Sequence, residues 1–356
     1  MRIEGYDLAR AGAVFGMVLV NFKIAMGAEE AGPDWLVGLL GLVDGKAAAT
    51  FVVLAGAGMS LMSRRARESG DPVALSGVRR SLLRRALFLF VVGMAYTPLW
   101  NADILHFYGV YMALAVWMIT WSGRGLLAVG LGANVVFFAL LSTLDYEAGW
   151  NWTTLEYEGL FTPRGLVRHV FFNGFHPVFP WLSYLLLGLW LGRQDLLDPR
   201  VRNRLGGLGL GVAVGVSLLS AWLVDAVGTG IDGTAETTVA LFGTAPMPPN
   251  VFAIAAGCGS AVFLVCAAVA IQLRIAGTAL ARALVRTGQL ALTLYVAHVV
   301  LGMGALILLG RLEDQSLAFS LAASVGFMGI AVVFADRWRA RFDRGPLEWV
   351  MRRVTG

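Results

Sequence analysis

Long runs of apolar residues fill most of the chain, and charged residues collect between them. A helix needs roughly 20 mostly apolar residues to cross a hydrocarbon core of about 30 Å. Ten segments satisfy this requirement, with ends defined to within several residues. They lie at 8–27, 46–63, 81–98, 102–121, 124–143, 177–192, 206–228, 251–272, 288–310 and 316–335. The pattern predicts an all-α, polytopic integral membrane protein with about ten transmembrane helices.

The composition supports the same fold class. Of 356 residues, 58% are hydrophobic and 14% are charged, which exceeds what a soluble core of this size can bury. No linker or charge run divides the chain, so we expect one domain over residues 1–356. In the seventh segment Gly207, Gly211 and Gly215 recur every four residues, a spacing that predicts close helix packing.

The distribution of charge sets the expected orientation. With both termini cytoplasmic, 23 of the 28 lysines and arginines lie on the cytoplasmic side, as short cytoplasmic loops require. Two longer loops, 144–176 and 229–250, then lie outside and can receive a polar substrate. The net charge of +5 is dispersed over loops, so no nucleic-acid partner is expected. Cys258 and Cys266 lie eight residues apart without neighbouring ligands, so neither a disulfide nor a metal site is expected.

Ionisable residues in spans are costly to bury, which makes them candidates for a site. In the first segment Asp7, Arg10 and Asn21 fall on one helical stripe. They can line a site, or form an ion pair at the helix end with Asn21 bonded to another helix. Asp44 and Lys46 open the second segment, where Lys46 is either a snorkelling lysine or a functional group on the side that usually lacks lysine.

The fourth segment begins with the strongest candidate for chemistry. Asp103 and His106 are three residues apart, hence expected on one helical face, and Asn101 precedes them. A carboxylate in that position fixes the imidazole tautomer and raises its basicity, as a general base requires. The alternative is an ordinary core histidine.

The remaining histidines are weaker candidates. His169 lies in a polar loop and is expected to be inert. His176 stands at the entry to the sixth segment, close to Trp181, and can line a cavity or anchor the interface. His298 falls near the middle of a segment with Tyr295 three residues before it, which is consistent with a site or with a buried hydrogen bond between them.

Several motifs in order resemble a known family. The stretch from Gly5 through Asp7 and Arg10 to Asn21 resembles the opening of bacterial YeiB-like membrane proteins. Five further segments match the family in the same order: Asp44 to Lys46, Asp103 to Tyr108, His176 to Gly192, Gly288 to Tyr295, and Arg344 to Arg352. The family is similar to the heparan-alpha-glucosaminide N-acetyltransferase group, whose members use cytoplasmic acyl-CoA to acylate an acceptor across the membrane.

The resemblance implies roles for particular residues. Asp103 and His106 become the expected catalytic pair. The expected substrate-binding residues are Asp7, Arg10, Asn21, Asp44, Lys46, Asn101, His176, Trp181, Tyr295 and His298. The chain departs from the lysosomal-type enzymes because it has no histidine before His106, so a mechanism that relies on such a residue does not transfer. Ala11 also replaces the usual glycine after Arg10.

The sequence therefore favours a membrane-embedded acyltransferase in a bacterial cytoplasmic membrane. It would move an acyl group, with acetyl the first choice, from acyl-CoA to an outer hydroxyl or amine of a small-molecule, glycan or lipid acceptor. Lys46 or Asn101 would polarise the thioester carbonyl, and Arg84, Arg85 and Arg286 would meet the phosphates of acyl-CoA. The rival function is a proton-coupled transporter or flippase, and a homodimer stays open.

Overall fold

The computed structural model describes residues 3–229 and 235–356, so part of the predicted 229–250 loop lies outside the described residues. Nearly all secondary structure in them is helical. The helices are α1 Glu4–Ala25, α2 Asp34–Gly41, α3 Lys46–Ser69, α4 Pro72–Tyr96, α5 Leu105–Ala115, α6 Gly123–Leu141, α7 Pro163–Arg168, α8 Val178–Leu191, α9 Pro199–Val227, α10 Ala235–Phe242, α11 Val251–Ile275, α12 Ala279–Gln289, α13 Ala291–Ala297, α14 Gly304–Leu308, α15 Leu317–Arg339 and α16 Pro346–Thr355.

Seven helical stretches of the described residues are long and apolar enough to cross a membrane. They are Glu4–Ala25, Asp34–Ser69, Gly123–Leu141, Pro199–Val227, Val251–Ile275, Ala291–Leu308 and Leu317–Arg339. The three other predicted segments correspond to α4, whose first half is rich in arginine, and to the shorter apolar helices Leu105–Met118 and Val178–Leu191. The protein is thus an all-α, multi-pass membrane protein.

Several helices begin where a short polar side chain satisfies the first free backbone N–H groups. The Asp71 carboxylate accepts the Val73 N–H at 2.9 Å, and Pro72 occupies the first turn of α4. Asp198 and Ser316 cap α9 and α15 in the same way. These local signals explain why long apolar helices start at defined residues.

Irregular segments interrupt this helical pattern. A two-stranded antiparallel hairpin, β1 Trp150–Asn151 and β2 Glu156–Tyr157, lies in the long loop before α8. Val116–Met118 is a 3₁₀ turn, and His169–Asn173 and His298–Met303 are π-helical. Both π-helical segments begin at a histidine, and such segments often occur at functional positions.

The chain forms two compact units. The first comprises the described residues of Met1–Phe51 together with Leu264–Val354. In it, α1 packs against α12 and α15. The backbones of α1 and α12 approach so closely that a Cβ on Gly288 would overlap the carbonyl oxygen of Asp7. Glycine at 288 therefore permits a close contact that a larger residue would prevent.

The second unit comprises the described residues of Val52–Phe263 together with Thr355–Gly356. Here α4 packs against α5, and α6 packs against α8. Gly93 of α4 lies against the backbone of His106, while Gly109 of α5 lies against Ala86. The helices are therefore antiparallel, and they bring the end of α4 beside the start of α5.

The packing predicted for Gly207, Gly211 and Gly215 is wrong for this chain: a Cβ at any of them would meet no described atom within 4 Å. Gly209, on the opposite side of α9, makes the close approach instead, to the backbone of Gly259 in α11. A four-residue glycine spacing identifies a face with small side chains, but it does not determine which face is buried.

Candidate active site

A hydrogen-bonded pair formed by Asp103 and His106 lies at the start of α5. The Nδ1–H of His106 donates to Oδ2 of Asp103 at 2.8 Å, and neither side chain is exposed. An ionised carboxylate cannot donate, so the hydrogen on this imidazole must lie on Nδ1. The lone pair of Nε2 is therefore available on the far side of the ring.

Asp103 is held by more than His106. Its Oδ1 accepts the hydroxyl of Tyr96 at 2.5 Å and the Leu105 N–H at 2.9 Å, and its Oδ2 accepts the His106 N–H at 3.1 Å. Asp103 precedes the helix that begins at Leu105, so its placement on the same helical face as His106 is wrong. It caps the helix instead, because aspartate accepts free N–H groups at such ends. Its four donors stabilise the ionised form.

His106 Nε2 has no hydrogen-bond partner among the described residues, although it is fully buried. The ring packs against Phe107, at a centroid distance of 4.0 Å, and against His169, at 5.5 Å, and those two rings lie 5.0 Å from each other. A buried imidazole nitrogen without a partner is costly, which makes Nε2 of His106 a candidate to accept a proton from a substrate or from water.

The long loop before α8 folds over His169. The Tyr157 ring meets His169 edge-on at 4.7 Å, and the Trp150 ring lies 5.8 Å from it. Asn173 organises this loop: its amide donates to the Tyr146 and Ala148 carbonyls, and its Oδ1 accepts the Tyr157 hydroxyl at 2.8 Å. The 144–176 loop, predicted to dock a substrate on the outer side, thus forms an aromatic cover beside the imidazoles of His106 and His169.

His169 lies inside the protein rather than in an exposed polar loop, since it is 1% exposed and stacks on His106. Burial lowers the pKa of His169 well below its ordinary value, and the neighbouring His106 and His176 lower it further. The aromatic run around it, Phe171 to Phe175, was the signal that this loop is buried.

His176 and Trp181 lie in the same unit. Their rings meet edge-on at 4.5 Å, and the His176 backbone carbonyl accepts the Tyr111 hydroxyl. Burial lowers the pKa of His176 to about 3. Trp181 is 2% exposed, so it does not act as an exposed anchor at the membrane interface. Asn101 lies on the turn two residues before Asp103 and is partly buried.

The other candidates lie in the first unit. The Asn21 amide donates to Nε2 of His298 at 2.9 Å, and His298 Nδ1–H donates to the Tyr295 carbonyl. The Tyr295 ring stacks with Phe51 at 6.2 Å. Both nitrogens of His298 are therefore bonded within the protein, and Asn21 makes the predicted bond to another helix.

Lys23, which the sequence reasoning missed, holds the carboxylate of Asp44. Its ammonium lies 2.7 Å from both carboxylate oxygens, and Lys23 is 4% exposed. Lys46 reaches only the Asp44 backbone carbonyl, at 3.5 Å. Burial raises the pKa of Glu29, which follows α1, although the nearby Lys23 opposes the shift. Lys23 stands two residues after Asn21, and a lysine inside an apolar run was the signal.

The predicted ion pair of Asp7 and Arg10 is confirmed at 2.7 Å. Arg286, expected to meet phosphates, is bound to Asp336 at 2.7 Å. In the second unit Arg85 contacts the sulfur of Met62 at 3.0 Å, and Arg84 lines an open pocket.

Two protein-family models match this chain. A model described as heparan-alpha-glucosaminide N-acetyltransferase, catalytic, matches residues 2–206, more than half of the chain. The chain belongs to this family. A second model, for a family of unknown function named DUF418, matches residues 191–356. Together they confirm the resemblance to YeiB-like proteins and to the acetyltransferase group. Searches of curated proteins and of solved structures gave no match.

The match to the acetyltransferase family covers Asp103 and His106, and also Asn21, Lys23 and Asp44. His298 lies in the stretch matched by the second model. Within residues 3–229 and 235–356, no three histidine, cysteine or acidic side chains are placed to hold a metal ion. The arrangement in the second unit is that of an oriented imidazole whose second nitrogen can accept a proton.

Proposed function

We propose that this protein is a membrane-embedded acyltransferase that moves an acyl group, of which acetyl is the first choice, from cytoplasmic acyl-CoA to a hydroxyl or amine. The observation that carries the proposal is the buried pair of Asp103 and His106 with Nε2 of His106 unpartnered in the described chain. The family match supports transfer of an acyl group rather than another use of a general base.

His106 would take a proton at Nε2 from the acceptor O–H or N–H as the acceptor oxygen or nitrogen attacks the thioester carbonyl. The new bond joins the acyl carbon to the acceptor, and the carbon–sulfur bond breaks. The proton on Nε2 then passes to the departing sulfur, so CoA leaves as a thiol and the imidazole returns to its starting state. Asp103 stabilises the imidazolium that exists between these two transfers, because its carboxylate lies 2.8 Å from Nδ1.

Asn101 is the better of the two residues predicted to polarise the thioester carbonyl. It stands two residues before Asp103 and in the same compact unit as His106. An amide N–H directed at a developing oxyanion lowers the barrier by a few kcal/mol, in the range measured for single oxyanion-hole donors. Arg85, in the same compact unit as His106, would contact the phosphates of the donor.

The proposal includes ten crossings, with both termini on the cytoplasmic side of a bacterial cytoplasmic membrane. The shorter helices α5 and α8 and the arginine-rich α4 would complete the seven long spans. With ten crossings and both termini cytoplasmic, 23 of the 28 lysines and arginines lie on the cytoplasmic side, in agreement with the positive-inside rule. A single cysteine at Thr153, in the hairpin loop, should react with an impermeant reagent in intact cells; protection there contradicts this orientation.

Acetyl transfer by purified protein tests the function. Radiolabelled acetyl-CoA is supplied to proteoliposomes with glucosamine as a probe acceptor, and both labelled product and free CoA thiol are measured. We expect thiol release by the wild type and its loss, by at least about 10²-fold, in His106→Ala, the usual range for a general base. Tyr146→Phe, in the same unit, is the matched control for a buried aromatic change, and melting temperature reports folding.

Two results would contradict the proposed acyltransferase activity. One is near wild-type turnover by folded His106→Ala. The other is absence of acetyl-CoA binding and hydrolysis in a protein that instead acidifies or alkalinises the vesicle lumen when a solute is added, which would identify the transporter.

A further inference from the structure

Three arginines of α4 line one open pocket of about 450 Å³ together with Trp117. Its other lining residues are Ser76, Leu83 and Leu87. The α4 residues recur at intervals of three and four positions from Ser76 to Leu87, so they lie on one side of the helix. Leu83 lies between Arg80 and Arg84 along the helix. Leu87 follows Arg84 by three residues and forms the apolar end of the pocket.

The arginines Arg79, Arg80 and Arg84 have no carboxylate partner among the described residues, whereas Arg64 on α3 is bound to Glu68 at 2.8 Å. The guanidinium of Arg79 lies 5.7 Å from the centre of the Trp117 ring, and its Nε is buried without a hydrogen-bond partner. Several guanidinium groups with free donors match the oxygens of a phosphate.

An apolar stripe continues from the arginines along α4. Leu87 is 62% exposed, and Val91, one turn further on, is 56% exposed. Trp117, which lines the pocket with Leu87, is 59% exposed. A soluble phosphate compound would leave this stripe uncovered, whereas a ligand that joins a phosphate to a hydrocarbon chain covers both parts. Basic pockets at the ends of membrane helices bind acidic lipid headgroups for this reason.

We propose that this pocket binds an anionic phospholipid, with its phosphate between Arg79, Arg80 and Arg84 and its acyl chain along Leu83 and Leu87. The pocket is separate from the pair formed by Asp103 and His106. Gly93 of α4 lies beside His106, and Arg79 precedes it by fourteen residues, which is roughly 20 Å along a helix. Lipid binding therefore does not depend on the proposed acyl transfer.

Native mass spectrometry of the delipidated full-length protein tests the proposal. Dioleoyl phosphatidylglycerol and dioleoyl phosphatidylcholine are titrated separately, because they share acyl chains and differ in headgroup charge. We expect preferential binding of phosphatidylglycerol and a roughly tenfold or larger weakening in the double variant Arg79→Gln/Arg80→Gln. The matched control is Arg64→Gln/Arg65→Gln, which removes the same charge from exposed positions outside the pocket.

Three results would overturn the proposal: equal binding of both lipids, equal weakening in the control variant, or displacement of phosphatidylglycerol by CoA at the same arginines. The last would assign the pocket to a soluble phosphate compound. A Trp117→Ala variant provides a second readout, because loss of the stacked ring should weaken retention of the lipid without changing the net charge.

Discussion

Oδ2 of Asp103 and Nδ1 of His106 lie 2.8 Å apart in a pair with no exposed surface. The hydroxyl of Tyr96 holds the second carboxylate oxygen at 2.5 Å, so the carboxylate is fixed from two sides. The direction of the imidazole is therefore set by side chains that cannot themselves reach a substrate bound at Nε2. In the proposed mechanism Asp103 and Tyr96 act by positioning His106.

Asp103→Asn is expected to slow acyl transfer less than His106→Ala does. The amide oxygen can still accept the Nδ1–H, but a neutral amide does not stabilise the imidazolium that forms during transfer. Without the carboxylate the imidazole is harder to protonate, so the loss of thiol release on acidification should begin at a lower pH than in the wild type. A purely structural role would not produce this change. An unchanged pH profile with a reduced melting temperature would identify Asp103 as structural.

Tyr96→Phe is expected to have a smaller effect of the same kind. It removes one of four donors to the Asp103 carboxylate without creating a cavity, and one hydrogen bond to a charged group contributes about 1.5–3 kcal/mol. Turnover and thermal unfolding should both be measured. Turnover identical to the wild type would show that the other three donors hold the carboxylate unaided.

Asp44→Asn is expected to destabilise the protein by about 2 kcal/mol, because it leaves the buried ammonium of Lys23 without its counter-ion. Removal of one partner of a fully buried pair costs roughly 3–5 kcal/mol, and the partial exposure of Asp44 reduces the loss. The double variant Lys23→Met/Asp44→Asn should recover part of this stability. A double variant no more stable than Asp44→Asn would contradict the inferred cost of the buried charge.

The stability of the protein is expected to fall as pH decreases below about 6.5. His169 and His176 have pKa values lowered by burial, so the unfolded chain binds protons that the folded protein does not, and this favours unfolding. The loss is about 1.4 kcal/mol per pH unit for each such proton, down to the pKa of about 3 of His176.

The contribution of His169 can be isolated by the conservative variant His169→Phe, which keeps a ring against His106. Melting temperatures between pH 7.5 and 5 should decline less steeply in this variant than in the wild type. Parallel curves would show that His169 stays neutral in the unfolded chain as well, or is charged in both states.

Gly288→Ala is expected to destabilise the first unit by about 1–3 kcal/mol, the usual cost of overpacking, because the added methyl would overlap the Asp7 carbonyl. Gly12→Ala is the control on the partner helix α1, since a Cβ there meets no described atom within 4 Å. Alanine favours helix by up to about 1 kcal/mol over glycine, so this control should be neutral or slightly more stable. Equal melting temperatures for both variants would contradict the close approach of α1 and α12.

The amino-acid sequence by itself determined the class of this protein and its most local contacts. Apolar runs of spanning length define the membrane helices, because each helix must satisfy its own backbone in hydrocarbon. The pair of Asp7 with Arg10 was predictable because residues three apart on a helix lie side by side. The pair of Asp103 with His106 was found by the same spacing, although Asp103 precedes the helix and reaches its first turn as a cap.

Only the tertiary structure decided which distant side chains meet. Asn21 bonds His298 across 277 positions, Lys23 rather than Lys46 holds the Asp44 carboxylate, and His169 stacks on His106 from a loop that looked exposed. The periodic pattern of apolar residues indicates which face of a helix avoids water. The rotation of the helix and the identity of its neighbours depend on how whole helices pack. In a chain that is apolar on most faces, that pattern is weak, so the partners of buried polar residues are set by the packed structure.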